Sequence, residues 1–287
     1  MKKALAIICG CLVFGCKSKP IPNQEKINVL FIGNSLTYFH DMPKTLQSML
    51  NEKHYNFNVE QSTFDGMTLD GHLTSMIIKQ SGDTLYSRTK EIGEITETEK
   101  KIASKKWNII ILQEGSRNHY FPDVVKEITE PTVKKIKKLV NNKDCKFIMF
   151  NTWTSKGNYP RQKECIAKVY FDETKYYMGE EVSEEEKYCS PERLNLEQDV
   201  KILSECFDGI KKEDDLTITN HCQIHYNVRK KHPEIELYDD DYHPSEAGSF
   251  LNACVFYNLL TGKKASKLTF VGKLNPTTAI ILKKLSE

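Results

Sequence analysis

Asn28-Val29-Leu30-Phe31-Ile32-Gly33-Asn34-Ser35-Leu36-Thr37 reads as a buried strand running into a small polar turn. The unbroken apolar run is what a strand covered on both faces requires. The turn of Gly, Asn and Ser residues that follows is where an open α/β sheet places its chemistry, at the carboxyl end of a strand. Four more runs of strand character follow, over 57–61, 107–112, 146–151 and, more weakly, 216–219. Helical patterns are expected between them: 42–53 with Pro43 in its first turn, a helix marked by Leu69, Leu73 and Met76, a long charged helix over 86–105, and 122–141 broken or kinked at Pro131. Further on, Leu196, Val200, Leu203, Phe207 and Ile210 form one helical stripe. A helix capped by Ser245 runs to about Leu260, and a last one starts at Asn275-Pro276. Strands alternating with helices predict an α/β fold: a three-layer α/β/α sandwich with a parallel, flavodoxin-like sheet.

The second informative stretch is Asp240-Asp241-Tyr242-His243-Pro244-Ser245. A carboxylate three residues before a histidine can orient the ring through one nitrogen and leave the other free to take a proton. That pair needs a nucleophile, and Ser35 stands at the carboxyl end of the first strand. Alone, either box has a structural explanation, a turn or a helix cap. Together they sit where an α/β fold brings opposite ends of the chain to one site.

The Gly33-Asn34-Ser35-Leu36 box and the Asp240-x-x-His243 box resemble those of the SGNH (GDSL-type) hydrolases, in an order of elements covering nearly the whole chain after residue 26. The resemblance implies a serine esterase with Ser35 as nucleophile, His243 as base and Asp240 as its partner. Where that family commonly has Asp, this chain has Asn34. The implied oxyanion hole consists of the Ser35 and Gly66 N–H groups and a side-chain amide. The family's Gly-x-Asn-Asp box is replaced by Gln113-Glu114-Gly115-Ser116-Arg117-Asn118. Gln113, at the strand end, is the expected amide, and Asn118 lies farther away. No cofactor is expected. The implied substrate is an O-acyl, especially O-acetyl, ester on a glycan.

Other chemistries remain to be weighed. His221 and His225, with Cys222 and His232 near, could suggest zinc, but the zinc protease pattern needs Glu where Cys222 stands. A pair of histidines after a strand is the preferred reading, with no metal. A carbohydrate-binding protein using Trp153, Tyr170, Tyr176 and Tyr177, or an O-acyltransferase on the same triad, are the alternatives to an esterase. The tyrosine-rich segment 154–190 is an insertion, either a lid beside the site or a solvated excursion.

The chain begins with Lys2, Lys3 and a short apolar run, the pattern of an export signal over 1–15. Val13-Phe14-Gly15-Cys16 resembles a bacterial lipobox, which implies a lipid-modified Cys16, a tether over 16–26 and a hydrolase domain over 27–287. The implied location is the bacterial cell envelope, facing the periplasm in preference to the cell surface, with membrane attachment through lipid only. Of the 41 basic residues two, Lys2 and Lys3, lie in the signal, and the other 39 balance 39 acidic ones. A neutral balance gives no footprint for nucleic acid. Six cysteines follow Cys16; Cys165 and Cys189 flank the insertion and could be bridged, while sequence leaves the pairing open.

Overall fold

The computed structural model describes residues 25–81, 84–115, 117–168, 183–210 and 216–287. The expectations for the leader, Cys16, Tyr170, Tyr176 and Tyr177 lie outside the described residues. Strand β1 (Ile27–Gly33) leads into α1 (Ser35–Tyr38) and α2 (Met42–Glu52), and β2 (Phe57–Thr63) into α3 (Gly71–Thr74). A hairpin of β3 (Ser75–Ser81) and β4 (Thr84–Thr89) precedes α4 (Glu97–Ala103) and β5 (Ile109–Leu112). Then come α5 (Pro122–Val124), α6 (Glu130–Leu139), β6 (Lys146–Met149) and the short pair β7 (Cys165–Ala167) and β8 (Lys187–Cys189). The chain continues through α7 (Leu196–Glu205), β9 (Thr217–Ile218), α8 (His221–Lys231), α9 (Glu246–Thr261) and α10 (Pro276–Leu285).

The main sheet has five strands, all paired in parallel, in the order β2-β1-β5-β6-β9. This is the flavodoxin-like order, with its reversal beside β1. Strand period 2 then divides the core. Val29 and Phe31 face a layer built by α2, α8, α9 and α10 through Leu46, Val228, Phe256 and Leu282. Leu30 and Ile32 face the other layer, with Ile102 of α4, Val133 and Ile136 of α6, and Phe207. Burial of each such side chain contributes about 1.5–3 kcal/mol, so a charge at Leu30 or Ile32 would break the sheet at its centre.

Two helical expectations fail between β2 and β5. Only Gly71–Thr74 is helical in the first; Met76 lies in β3. Residues 86–89 of the second belong to β4 (Thr84–Thr89), and the helix is confined to Glu97–Ala103. The β-branched Ile77 and Ile78 favour a pleated strand. The true helix start is a capping box, with Thr96 Oγ1 accepting from Glu99 N and the Glu99 carboxylate accepting from Thr96 N. Pro131 falls in the first turn of α6, where a missing N–H costs least, behind a π-turn at Val125–Thr129.

Candidate active site

The nucleophile turn is held by side chains reaching in from three other segments. Gln113, fully buried at the end of β5, accepts from Asn34 N (2.9 Å) and Thr37 Oγ1 (3.0 Å) through Oε1. A Cβ at position 33 would come within 2.6 Å of that same oxygen, so only glycine lets Gln113 approach. Asn34 caps α1 by accepting from Leu36 N (3.1 Å), and its Nδ2 donates to the Met67 carbonyl (3.0 Å). Aspartate could make the cap but not the second bond, which accounts for the amide in this box.

His72 completes the support. Burial pushes its pKa down to about 4, against the opposing pull of the Gly33 carbonyl. The ring is therefore neutral, and its Nε2–H donates to Gly33 O (2.9 Å). Nδ1 must then accept from Thr98 Oγ1 (2.7 Å), which leaves that hydroxyl to accept from Ser62 (2.9 Å). Nothing local in the sequence distinguishes His72, because its partners lie 26 and 39 residues away.

Ser35, 5% exposed, opens α1, and its Oγ lies 2.9 Å from His243 Nε2. On the far side of the ring, Nδ1 lies 2.6 Å from Asp240 Oδ2. A proton on Nδ1 satisfies the carboxylate and leaves Nε2 free to accept from the serine. Desolvation acts to raise the Asp240 pKa, but the bonds from the His243 ring and from the Tyr242 and His243 N–H groups outweigh it and hold the carboxyl below its ordinary value. Phe39 stacks on the His243 ring at 4.2 Å, with planes 2° apart, and fixes it from below.

The neighbouring aspartates are otherwise employed. Asp239 binds His40 Nε2 (2.6 Å), whose Nδ1 meets Glu246 at 3.1 Å. His40 and Asp41 take left-handed backbone angles (φ 50° and 51°) to make this clasp between the nucleophile turn and α9. Asp241 offers its carbonyl to Lys156 N (2.6 Å). Asp240 alone reaches the histidine, as its spacing implied.

Gly66 has φ +60°, the left-handed conformation glycine tolerates. Its loop is drawn against the nucleophile turn by the bonds from Phe64 N to Gly33 O (3.2 Å) and from Asn34 Nδ2 to Met67 O. Gln113 requires a correction. Its Nε2 is committed to the Glu114 carbonyl and its Oε1 faces the turn. An amide so placed, fully buried and outside the lining of the cleft, holds the turn that carries Ser35 and is shielded from an oxyanion. Glu114 is a further residue that sequence reasoning misses. Its buried carboxylate, raised in pKa by desolvation against four opposing hydrogen bonds, gathers Leu69 N, Gly115 N, Asn118 Nδ2 and Thr129 Oγ1. Asn118 is thereby tied into the wall.

A cleft of about 290 Å³ opens beside the triad, with Leu36 and Tyr242 at the catalytic end and Arg117, Arg161, Glu164 and Arg193 farther along. Ser155, Arg161 and Glu164, from the described start of segment 154–190, line part of it. Cys165 and Cys189 form a disulfide across β7 and β8. Trp153 is buried, stacked on His225 at 4.3 Å, with Nε1 donating to Tyr242 O (3.0 Å). It is a brace beneath the cleft, not an open sugar platform. His221 and His225 are core residues: His221 meets Thr219 (2.7 Å) and His225 meets Asn252 (2.8 Å).

No family model matches the chain, and no curated protein matches it. Solved structures do. A DUF4886 family protein from Bacteroides uniformis is similar with a TM-score of 0.65 at 15% identity, over 91% of this chain and 93% of that one. A protein assigned to the SGNH hydrolases, from Slackia heliotrinireducens, matches with TM-score 0.51 at 18% identity, over 82% and 99%. A variant of an acetyl xylan esterase from Geobacillus stearothermophilus matches with TM-score 0.51 at 13% identity, over 82% and 94%. The five-stranded parallel sheet between helical layers is thus the fold of SGNH hydrolase structures. At these identities the likeness concerns the fold, and the chemistry must be argued from this chain's own residues.

Proposed function

We propose that the protein is a serine esterase that removes O-acyl groups, acetyl foremost, from glycans. The carrying observation is the continuous line from Ser35 Oγ through His243 to Asp240, at 2.9 and 2.6 Å. Serine is a poor nucleophile at neutral pH and needs such a base. In the proposed cycle His243 Nε2 takes the Ser35 proton as Oγ attacks the ester carbonyl. The imidazolium, stabilised by Asp240, then protonates the departing alcohol. Water attacks the acyl-enzyme with the same histidine as base, and Ser35 is regenerated.

The proposed oxyanion donors are the N–H groups of Ser35 and Gly66. Ser35 is the first helical residue, so its N–H has no partner within the helix. Each such donor is worth on the order of 10²–10³ in rate. The acetyl preference draws support from the acetyl xylan esterase among the structural relatives. Export and lipid attachment at Cys16 belong to the proposal on sequence grounds alone. The test is hydrolysis of short- and long-chain aryl esters, with fluorophosphonate labelling of Ser35 located by mass spectrometry. An unlabelled Ser35 in protein that hydrolyses none of these esters overturns the reading.

A further inference from the structure

We propose that the cleft beside the triad is an anion subsite, and that the natural substrate is an acyl ester of an acidic sugar whose carboxylate is bound by Arg193 and Arg161. The proposal rests on the esterase reading for the ester half and on independent observations for the acidic half.

Arg193 lines the cleft yet is only 2% exposed. Burying a guanidinium costs several kcal/mol unless its N–H groups are satisfied. Here they are not: Nε and Nη1 are buried without a hydrogen-bond partner. Nη2 donates to Glu164 at 3.4 Å, and Nε lies 3.8 Å from Asp199, beyond hydrogen-bond reach. Two more lining groups share the condition, Arg161 Nε and the Tyr120 hydroxyl. Arg193, Arg161 and Tyr120 thus line one cleft with side chains whose polar groups the fold leaves partly unpaired, and an acceptor entering it meets arginines in its wall.

The charge count agrees. The lining carries Arg117, Arg161 and Arg193 against one carboxylate, Glu164, with Asp199 buried behind Arg193. Glu164 is shared between Arg117 (2.9 Å) and Arg193, and Asp199 accepts from Tyr159 (2.5 Å). The wall therefore keeps a net positive charge, which an anion offsets. The flat guanidinium fork matches carboxylate geometry, and Arg193 lies over the Tyr120 ring at 4.2 Å, which fixes its plane.

The two arginines are placed by a common device. Arg161 and Arg193 pair backbone to backbone in both directions (2.8 and 2.9 Å), and Ser190 and Glu164 bond alongside. The Cys165–Cys189 disulfide closes the same ribbon beyond them. Leu36 and Tyr242, chain neighbours of Ser35 and His243, line the same cleft. Its volume is near the lower end for small-molecule sites, which suits a single sugar unit.

The experiment compares an O-acetylated methyl glucuronoside, the matching methyl glucoside and a neutral aryl acetate. The glucuronoside should exceed the glucoside by about tenfold or more in kcat/KM, chiefly through KM. Arg193→Gln and Arg161→Gln should each bring the two sugars within about twofold while leaving aryl acetate hydrolysis within about twofold of the wild type. Should Arg193→Gln fail to fold, by circular dichroism, Arg161→Gln decides. Equal rates on the two sugars by the wild type overturn the subsite while the esterase reading stands. A preference for a sulfated glucoside acetate over the glucuronoside overturns the carboxylate assignment. Should the protein cleave no ester, calorimetry with a glucuronate disaccharide decides separately: binding abolished by Arg161→Gln supports the subsite, and no binding to the wild type overturns it.

Discussion

Ser35 stands at the carboxyl end of β1 and Asp240 and His243 on the loop before α9, whereas the cleft wall is a ribbon spliced in between β6 and α7. The turn that carries Ser35 is held by buried hydrogen bonds from the core, through Gln113, His72 and Asn34. The ribbon has two three-residue strands, a disulfide and paired arginines. The contrast separates two tasks. In the proposed esterase, bond-breaking geometry rests on a turn buried against the sheet, and recognition on a segment that can change without disturbing the sheet.

The sharpest way to break this comparison is at its centre. Ser35→Ala should fold as the wild type does and lower turnover on aryl acetate by about 10⁵–10⁶-fold. Activity retained within tenfold would remove Ser35 from the chemistry. Asp240→Asn comes next, with a loss on the order of 10³–10⁴ because the amide favours the wrong histidine tautomer. Asp239→Asn, which loosens only the His40 clasp, should cost less than tenfold. A reversed ranking would mean that Asp239 swings to the histidine in solution.

Acid should undo the floor before the wall. His72 is pushed down to about 4 by burial, His225 to about 3 and His221 well below its ordinary value. The unfolded chain therefore binds protons that the folded core refuses. Stability is complete above about pH 6.5 and falls as pH drops toward 4, by about 3 kcal/mol for His72 alone at about 1.4 kcal/mol per pH unit. Urea midpoints at pH 7 and pH 5 measure this, and a flat profile would contradict neutral buried rings. The smallest effect belongs to the wall. Cys165→Ser with Cys189→Ser should leave aryl acetate turnover within about threefold. The missing cross-link, worth about 3 kcal/mol in the loop-closure picture, should appear as faster proteolysis between Arg161 and Arg193. Equal proteolysis would show that the ribbon needs no staple.

What can be read from sequence follows the same division. β1 and its turn are legible because an unbroken apolar run ending in Gly-Asn-Ser is a local pattern, and Asp240 and His243 because their spacing is local too. Gln113 is placed by sequence at the right strand end but with the wrong task. An amide carries a donor and an acceptor, and only the fold decides which one faces the turn. The β3–β4 hairpin is misread because Leu69, Leu73 and Met76 fit a helical spacing that tertiary pairing overrides. The ribbon gives only its cysteine pair as a signal: three-residue strands are too short to show a period, and the pairing of Arg161 with Arg193 depends on a turn-back of the chain.

The close fit of Gln113 against Gly33 also makes the two positions one mutational unit, although 79 residues separate Asn34 from its Gln113 partner. A methyl group at 33 collides with the amide at 113. A smaller residue at 113 would make room for it but strand the Asn34 N–H and the Thr37 hydroxyl without their acceptor. Neither single change is tolerated by the other position, and the double change does not restore what each removes. The double change should therefore cost less than the sum of the two single changes yet still lack the acceptor, and any laboratory route that alters the glycine must first supply a new acceptor from elsewhere in the core.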